Sequence, residues 1–445
     1  MKKIIALLLA VVMVFALVAC ASTAKTDDTA AETTPAETTE TTEPAAEETE
    51  APAEEETPAE PTGDAVGTDI KIGVVLIGDE NEGYTYAHIQ GIEAAKKACN
   101  LSDDQIIYKY NVTEDEKCYE AAVDLAEQGC KLIIANSFGH EDHLIRAAKE
   151  YPDVVFCHAT GQKAAKHTEL NNIFNYFDSI YEARYVSGIV AGMKLKALMD
   201  EGKVTDPYIG YVGAYPYAEV VSGYTAFFLG IRSIVPEAHM DVQYTKEWFD
   251  LVKESEAANA LMSRGCVIIG QHADSTGAPA ATQKLLDAGN ICYSVGYNVD
   301  MLPTAPTAAL TSPTNEWSVF YTELFTKMQN GEEIAADWAE GFDTDAVAIT
   351  ELGSSCAAGT AEKVAEVIAA IKDGSLKVFD ASTFTVDGAT LTSAPVDMTI
   401  MDWATMTVAY EGETYEAIVD GAFEESTFRS APYFALRIDG ITEIK

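Results

Sequence analysis

Two histidines, His140 and His143, flank Glu141 and Asp142 in the run LIIANSFGHEDH (132–143). Residues three apart share a helix face, so a metal site is the first chemistry to weigh. The order is not HExxH, and no cysteine or third histidine lies near. Acids at a helix start also cap it and answer its dipole, so an exposed helix start or a pocket rim compete with the metal reading. A serine nucleophile would need a GxSxG elbow, and the chain has none. His272 and Asp274, two residues apart at a strand end, could be called an acid/base pair, but they are not expected to act as one. No metal, cofactor or catalytic residue is expected, and the chain does not read as an enzyme.

A different pattern recurs where apolar runs end. IKIGVVLIG is followed by Asp79, Tyr84, Tyr86 and His88, and KLIIAN by Phe138. MDVQYTKEW leads to Trp248, Phe249 and Asp250, and CVIIGQ to Asp274. ICYSVG precedes Tyr297, Asn298 and Asp300, and AALTSP precedes Trp317. Aromatic faces beside Asp and Asn suit a flat, uncharged, polar ring: stacking supplies area, and the polar groups read its edge. A phosphate site would need Lys, Arg or a glycine-rich loop, and these ends offer none. Each residue alone has a plainer reading. Tyr84 and Phe138 could anchor loops, Trp248 and Trp317 could be core, and Asp274 could cap a helix.

The elements that position them follow from periodicity. Short β-branched runs alternate with helical patterns such as AHIQGIEAAKKAC and EVVSGYTAFFLGIRSIV. Continuous apolar strands between helices indicate parallel sheets covered on both faces. The pattern runs twice, so the fold class is α/β with two doubly wound lobes, whose ligands sit beyond the carboxyl ends of the strands. The expected boundaries are a first lobe at 69–177 with a return segment at about 301–345, a second lobe at 178–300, and a β-rich C-terminal segment at 346–445 that packs on the lobes.

The N-terminus adds localisation. MKKIIALLLAVVMVFALVAC follows the signal-peptide plan over residues 1–20, and a small residue before Cys20 resembles a bacterial lipobox. Residues 21–68 are Thr/Glu/Pro/Ala-rich and too poor in large apolar groups to fold, so they read as a disordered tether. A lipid anchor at Cys20 would hold the body outside the cytoplasmic membrane. The remaining seven cysteines lack CxxC spacing and read as buried thiols. A net charge of −42 excludes nucleic acid as a partner, because there is no basic stripe to displace counterions.

Four longer stretches carry a family resemblance. They are YFDSIYEARYVSGIVAGM (176–193), IGYVGAYPYAEVVSGYTAFFLGIRSIVPE (209–237), WFDLVKESEAANALMSRGCVIIGQHADSTG (248–277) and VGYNVDM (295–301). In this order they resemble the BMP (basic membrane protein) or purine-nucleoside-receptor lipoproteins, over about residues 70–380. The resemblance implies a type I periplasmic-binding-protein fold that closes about a hinge, and a monomeric protein that delivers its ligand to an ABC permease. It implies a purine stacked between the lobes, with Tyr84 and Phe138 as first-lobe walls and Trp248 and Asp274 as second-lobe contacts. Trp317 would lie on the returning segment. Asn298 and Asn315 stand where nucleoside-binding members usually carry Asp and Lys, and this favours a free base such as adenine over a nucleoside. Two rivals share parts of the reading: a sensor lipoprotein with a signalling partner, and a nucleoside hydrolase, which would need clustered carboxylates for metal.

Overall fold

The structure is a computed structural model, and it describes residues 69–167, 169–402 and 407–444. The expected signal peptide, Cys20 and the acidic linker lie outside these residues. The first sheet contains β1 (Ile72–Val75), β2 (Ile106–Lys109), β3 (Leu132–Ala135), β4 (Val155–Ala159) and β5 (Ile173–Tyr176). Its strands are parallel and are ordered β5-β4-β3-β1-β2. Alternation within β1 explains its unbroken apolar run. Ile72 and Val74 share a core with Ile92 of α1 (Gly83–Ala98), whereas Val75 joins Leu125 of α2 (Glu116–Glu127) and Leu144 of α3 (Glu141–Glu150). Both faces of the sheet are therefore covered.

After β5 the chain enters α4 (Ile180–Asp200) and builds a second parallel sheet. This sheet uses β6 (Tyr208–Gly213), β7 (His239–Tyr244), β8 (Ile268–Gln271), β9 (Tyr293–Val295) and β10 (Ala309–Thr311), in the order β10-β9-β8-β6-β7. Between its strands lie α5 (Ala218–Ile234), α6 (Leu251–Ser263) and α7 (Gly277–Asp287). Helices α4 and α5 cross at backbone contact. A Cβ on Gly188 would fall 2.1 Å from the Phe227 carbonyl oxygen, and one on Gly230 would fall 2.2 Å from that of Tyr185. The glycines in VSGIV and FFLGI are thus contact residues rather than flexible ones.

The chain then returns. Strand β11 (Pro313–Asn315) pairs antiparallel with β13 (Val347–Ile349), and β12 (Asp337–Trp338) adds to the first sheet beside β5. Between β11 and β12, α8 (Ser318–Asn330) shares the core of α1. The crossings lie side by side, with Phe177 N–H donating to Trp338 O at 3.0 Å and Ser179 N–H to Glu340 O at 2.8 Å.

Two boundaries differ from those expected. The second lobe does not stop at 300, because β10 extends its sheet to residue 311. The C-terminal segment is not wholly appended either. It holds α9 (Thr360–Lys372) and short two-stranded ladders, and then Ile441–Ile444 joins the second sheet parallel to β7. Glu443 in that strand accepts hydrogen bonds from Tyr224 and Tyr244, both at 2.8 Å. Four residues at a chain end give too short a run to read as a sixth strand.

Candidate functional site

The carboxyl ends of both sheets face one cavity of about 570 Å³. The first lobe supplies the loop after β1, the loop after β2 and the turn after β3. Glu82 caps α1 by accepting the Thr85 N–H at 3.0 Å. Asn136, just past β3, accepts the Ile77 N–H at 3.0 Å through its side chain, and its carbonyl receives the Tyr84 hydroxyl at 2.7 Å. These bonds fix Tyr84 against the cavity with its ring edge-on to His88. Phe138 follows on the same wall. It meets Tyr217 of the second lobe with ring centroids 5.8 Å apart, and Gly83 N–H donates to Asp274 O at 3.2 Å across the cleft. The two lobes are therefore in contact beside the cavity.

The second lobe supplies Tyr215, Glu219, Trp248, His272, Asp274 and Tyr297. Trp248 stands edge-on to Tyr215 at 5.1 Å, and its carbonyl accepts the Asp274 N–H at 2.9 Å. Asp274 is buried and accepts from Asn298 Nδ2 at 2.9 Å; Asn298 Oδ1 in turn accepts from Asn315 at 3.2 Å. Burial holds the Asp274 carboxyl well above the usual range, reinforced by Glu82, Glu254 and Glu219. Burial also pushes Glu82 up to about 7. Burial thus favours the protonated form of both carboxyls, which can donate a hydrogen bond as well as accept one. Six carboxyl groups line the cavity (Asp79, Glu82, Glu114, Glu219, Glu247 and Asp274), with no Lys or Arg among the lining residues. An anionic ligand would meet repulsion and no countercharge. A neutral ring with N–H donors would meet acceptors and aromatic faces.

Of the strand-end residues singled out from the sequence, seven line this cavity: Asp79, Tyr84, Phe138, Trp248, Phe249, Asp274 and Tyr297. Asp79 sits at the rim, where the Asn81 N–H holds its carboxyl below the usual range. Asn298, Asp300 and Trp317 do not line it. Asn298 is buried behind Asp274 and orients it. Asp300 is exposed and accepts the Leu302 N–H at 2.9 Å. Trp317 is 1% exposed and stacks on His88 at 4.3 Å, behind Tyr84, because α8 packs against α1 there. His140 is buried with Nε2 donating to Val112 O at 3.0 Å, and no group of three or more metal-ligating side chains occurs among the described residues.

Glu219, Tyr215, Glu114 and Asn136 were not singled out from sequence. The first two follow β6 in the run GAYPYAEVV, which carries the same aromatic-plus-acid signal as the other strand ends. Glu114 accepts from Ser137 Oγ at 2.6 Å and from Gly139 N–H at 2.8 Å, joining two loops in a way that spacing does not reveal.

A fold of two parallel-sheet lobes closing on a polar, aromatic-lined cavity defines a type I periplasmic-binding protein. The family of ABC transporter substrate-binding proteins described as Bmp, PnrA-like, matches residues 70–378, and the chain belongs to it. It is similar to a purine-binding protein of Brucella abortus, with 36% identity over 59% of this chain and 69% of the relative. It is also similar to a putative ABC transporter glucose-binding protein of Haloferax volcanii, with 32% identity over 68% of this chain and 72% of the relative. A solved ABC transporter solute-binding protein from Aeropyrum pernix shares the fold, with a TM-score of 0.58 at 13% identity over 73% of this chain and 94% of that one. The family binds and hands over substrates; it is not one of enzymes. Such proteins work outside the cytoplasm, and no helix among the described residues is long and apolar enough to cross a membrane.

Proposed function

We propose that this protein captures a purine base, adenine or a close analogue, and delivers it to an ABC permease from a lipid anchor at Cys20 on the outer face of the cytoplasmic membrane. One observation carries the ligand class: the cavity combines Tyr84, Phe138 and Trp248 with carboxyl groups and lacks any lining Lys or Arg. That lining suits a flat ring rich in N–H groups and disfavours phosphorylated ligands. The Brucella relative, named as purine-binding, agrees with it. Asn298 and Asn315 hold one another and Asp274 rather than facing the cavity, which favours a base over a nucleoside. Ligand would be held by lobe closure, with Gly83–Asp274 and Phe138–Tyr217 as contacts of the closed form.

The Haloferax relative, named for glucose, gives a second reading, because sugars also stack on aromatic rings and donate to carboxylates. A thermal-shift panel of adenine, guanine, their nucleosides, riboflavin and glucose separates the two, since a ligand that binds only the native state raises the melting temperature. A larger shift with adenine or guanine than with their nucleosides or glucose supports the proposal. A shift with glucose and none with purines overturns it.

A further inference from the structure

A chain of three side chains from three segments ends in the cavity. Glu219, in the first turn of α5, has its Oε1 3.0 Å from His272 Nε2. His272 Nδ1 lies 3.1 Å from Arg184 Nη2, on α4. A guanidinium only donates, so Nδ1 must accept, and the imidazole proton sits on Nε2 and is donated to Glu219. The His272 ring is neutral: burial, followed by the Arg184 charge, pushes it down to about 4.

Arg184 is 1% exposed. It donates to Tyr211 Oη at 3.0 Å and to Gln271 O at 2.6 Å, and its guanidinium lies 3.5 Å over the Tyr297 ring. No carboxylate among the described residues pairs with it directly, so Glu219, reached through His272, is the nearest anion on this chain of hydrogen bonds. Space for the chain is built in. One turn beyond Glu219, a Cβ on Gly223 would fall 3.0 Å from His272 Nδ1 and 3.4 Å from Arg184 Nε.

Burying a permanent cation without a direct partner is a poor way to gain stability. Here the arrangement aims one carboxylate. Glu219 lines the cavity, Oε1 is oriented by His272, and the described residues make no other hydrogen bond to it. Its remaining lone pairs are available to a ligand. An amino N–H can donate to them, whereas a ring carbonyl placed there sets oxygen against oxygen and leaves both without a donor.

We propose that Glu219, positioned by Arg184 through His272, is the specificity-determining acceptor of the cleft, and that it selects rings bearing an exocyclic amino group over their oxo counterparts. This rests on the purine reading above and adds a direction of selectivity to it.

The test is calorimetric titration of the full chain and its variants with adenine and with hypoxanthine, read as the ratio of the two dissociation constants. Wild type should favour adenine by roughly tenfold or more, the range of one hydrogen bond to a charged group. Glu219→Gln, whose amide can turn a donor to the ligand, should bring the ratio towards one. His272→Leu should do the same. His272→Gln offers an N–H to Glu219 and a carbonyl to Arg184, and should restore most of the preference. Should His272→Leu fail to fold, the cavity-facing Glu219→Gln still carries the test. An unchanged ratio in Glu219→Gln overturns the proposal, as does a wild-type ratio near one. His272→Gln behaving like a folded His272→Leu overturns the positioning role. Wild type binding neither purine sinks the purine reading and this proposal together, whereas binding both with an unaltered ratio in Glu219→Gln sinks this one alone.

Discussion

Trp248 and Trp317 offer a direct separation of ligand contact from support. Trp248 is partly exposed to the cavity, and its backbone is held by Asp274 N–H independently of its ring. Truncation to alanine therefore removes a face without moving the loop. A buried tryptophan covers roughly 150–250 Å², so one face laid on a ligand is about 80 Å². At about 25 cal/mol per Å² this is about 2 kcal/mol, or roughly thirtyfold in affinity. Trp317 is core, stacked on His88 and set against Tyr84 and Tyr176. Trp317→Ala should cost about 3–5 kcal/mol of folding stability through the cavity it leaves. Calorimetry with adenine and thermal melting of each variant read the two effects apart. Trp248→Ala should lose affinity with little change in melting temperature, and Trp317→Ala should melt early. Trp248→Ala binding within threefold of wild type, in a protein that melts normally, would refute the assignment of this ring to the ligand.

Other outcomes follow from the same geometry. Burial pushes Glu82, Glu182, Glu254 and Glu425 up to about 7 from an ordinary 4.5, so their contribution to stability is complete below 4.5 and is lost as pH rises through 7. Burial pushes His140, His158 and His272 down to about 4 from 6.5, so theirs is complete above 6.5 and is lost as pH falls through 4. Between about pH 4.5 and 6.5 four falling glutamate contributions oppose three rising histidine ones, so these groups predict a shallow net fall of melting temperature with pH, steeper from 6.5 to 7 where only the glutamates still titrate, and a steady rise of melting temperature from pH 5 to 8 would contradict it. Glu443→Ala removes the acceptor of two tyrosine hydroxyls and should cost about 1–3 kcal/mol in urea unfolding, whereas no change would detach the C-terminal strand from the stability of the second lobe. Gly188→Ala would press a methyl into the Phe227 carbonyl and should destabilise by about 3 kcal/mol or more, and a neutral effect would contradict the close helix crossing. Chelator should leave ligand affinity unchanged, and a loss would revive His140 and His143 as metal ligands.

The lobes were legible because their strands announce themselves. IGVV and LIIA are short, apolar and followed by turns, and each carries one face towards each helix layer. Half-legible was the site. Residues directly past a strand, such as Phe138, Trp248 and Asp274, reach the cavity because parallel strands point their carboxyl ends at it. Trp317 met the same rule and still falls behind the wall, because it opens α8, which packs on α1. The chain Arg184–His272–Glu219 was not legible. Its members lie 35 and 53 residues from one another in order of position, and only the α4–α5 crossing and the end of β8 bring them together. Glu219 could have been found, since it follows β6 among aromatics, but its charge partner could not.

The most direct measurement is a crystal structure of the protein grown with adenine. The account predicts the base between the lobes, with ring faces against Tyr84, Phe138 or Trp248 and its amino group within hydrogen-bond distance of Glu219. Adenine found outside this cavity, or bound there with no lining aromatic ring in contact, would contradict it.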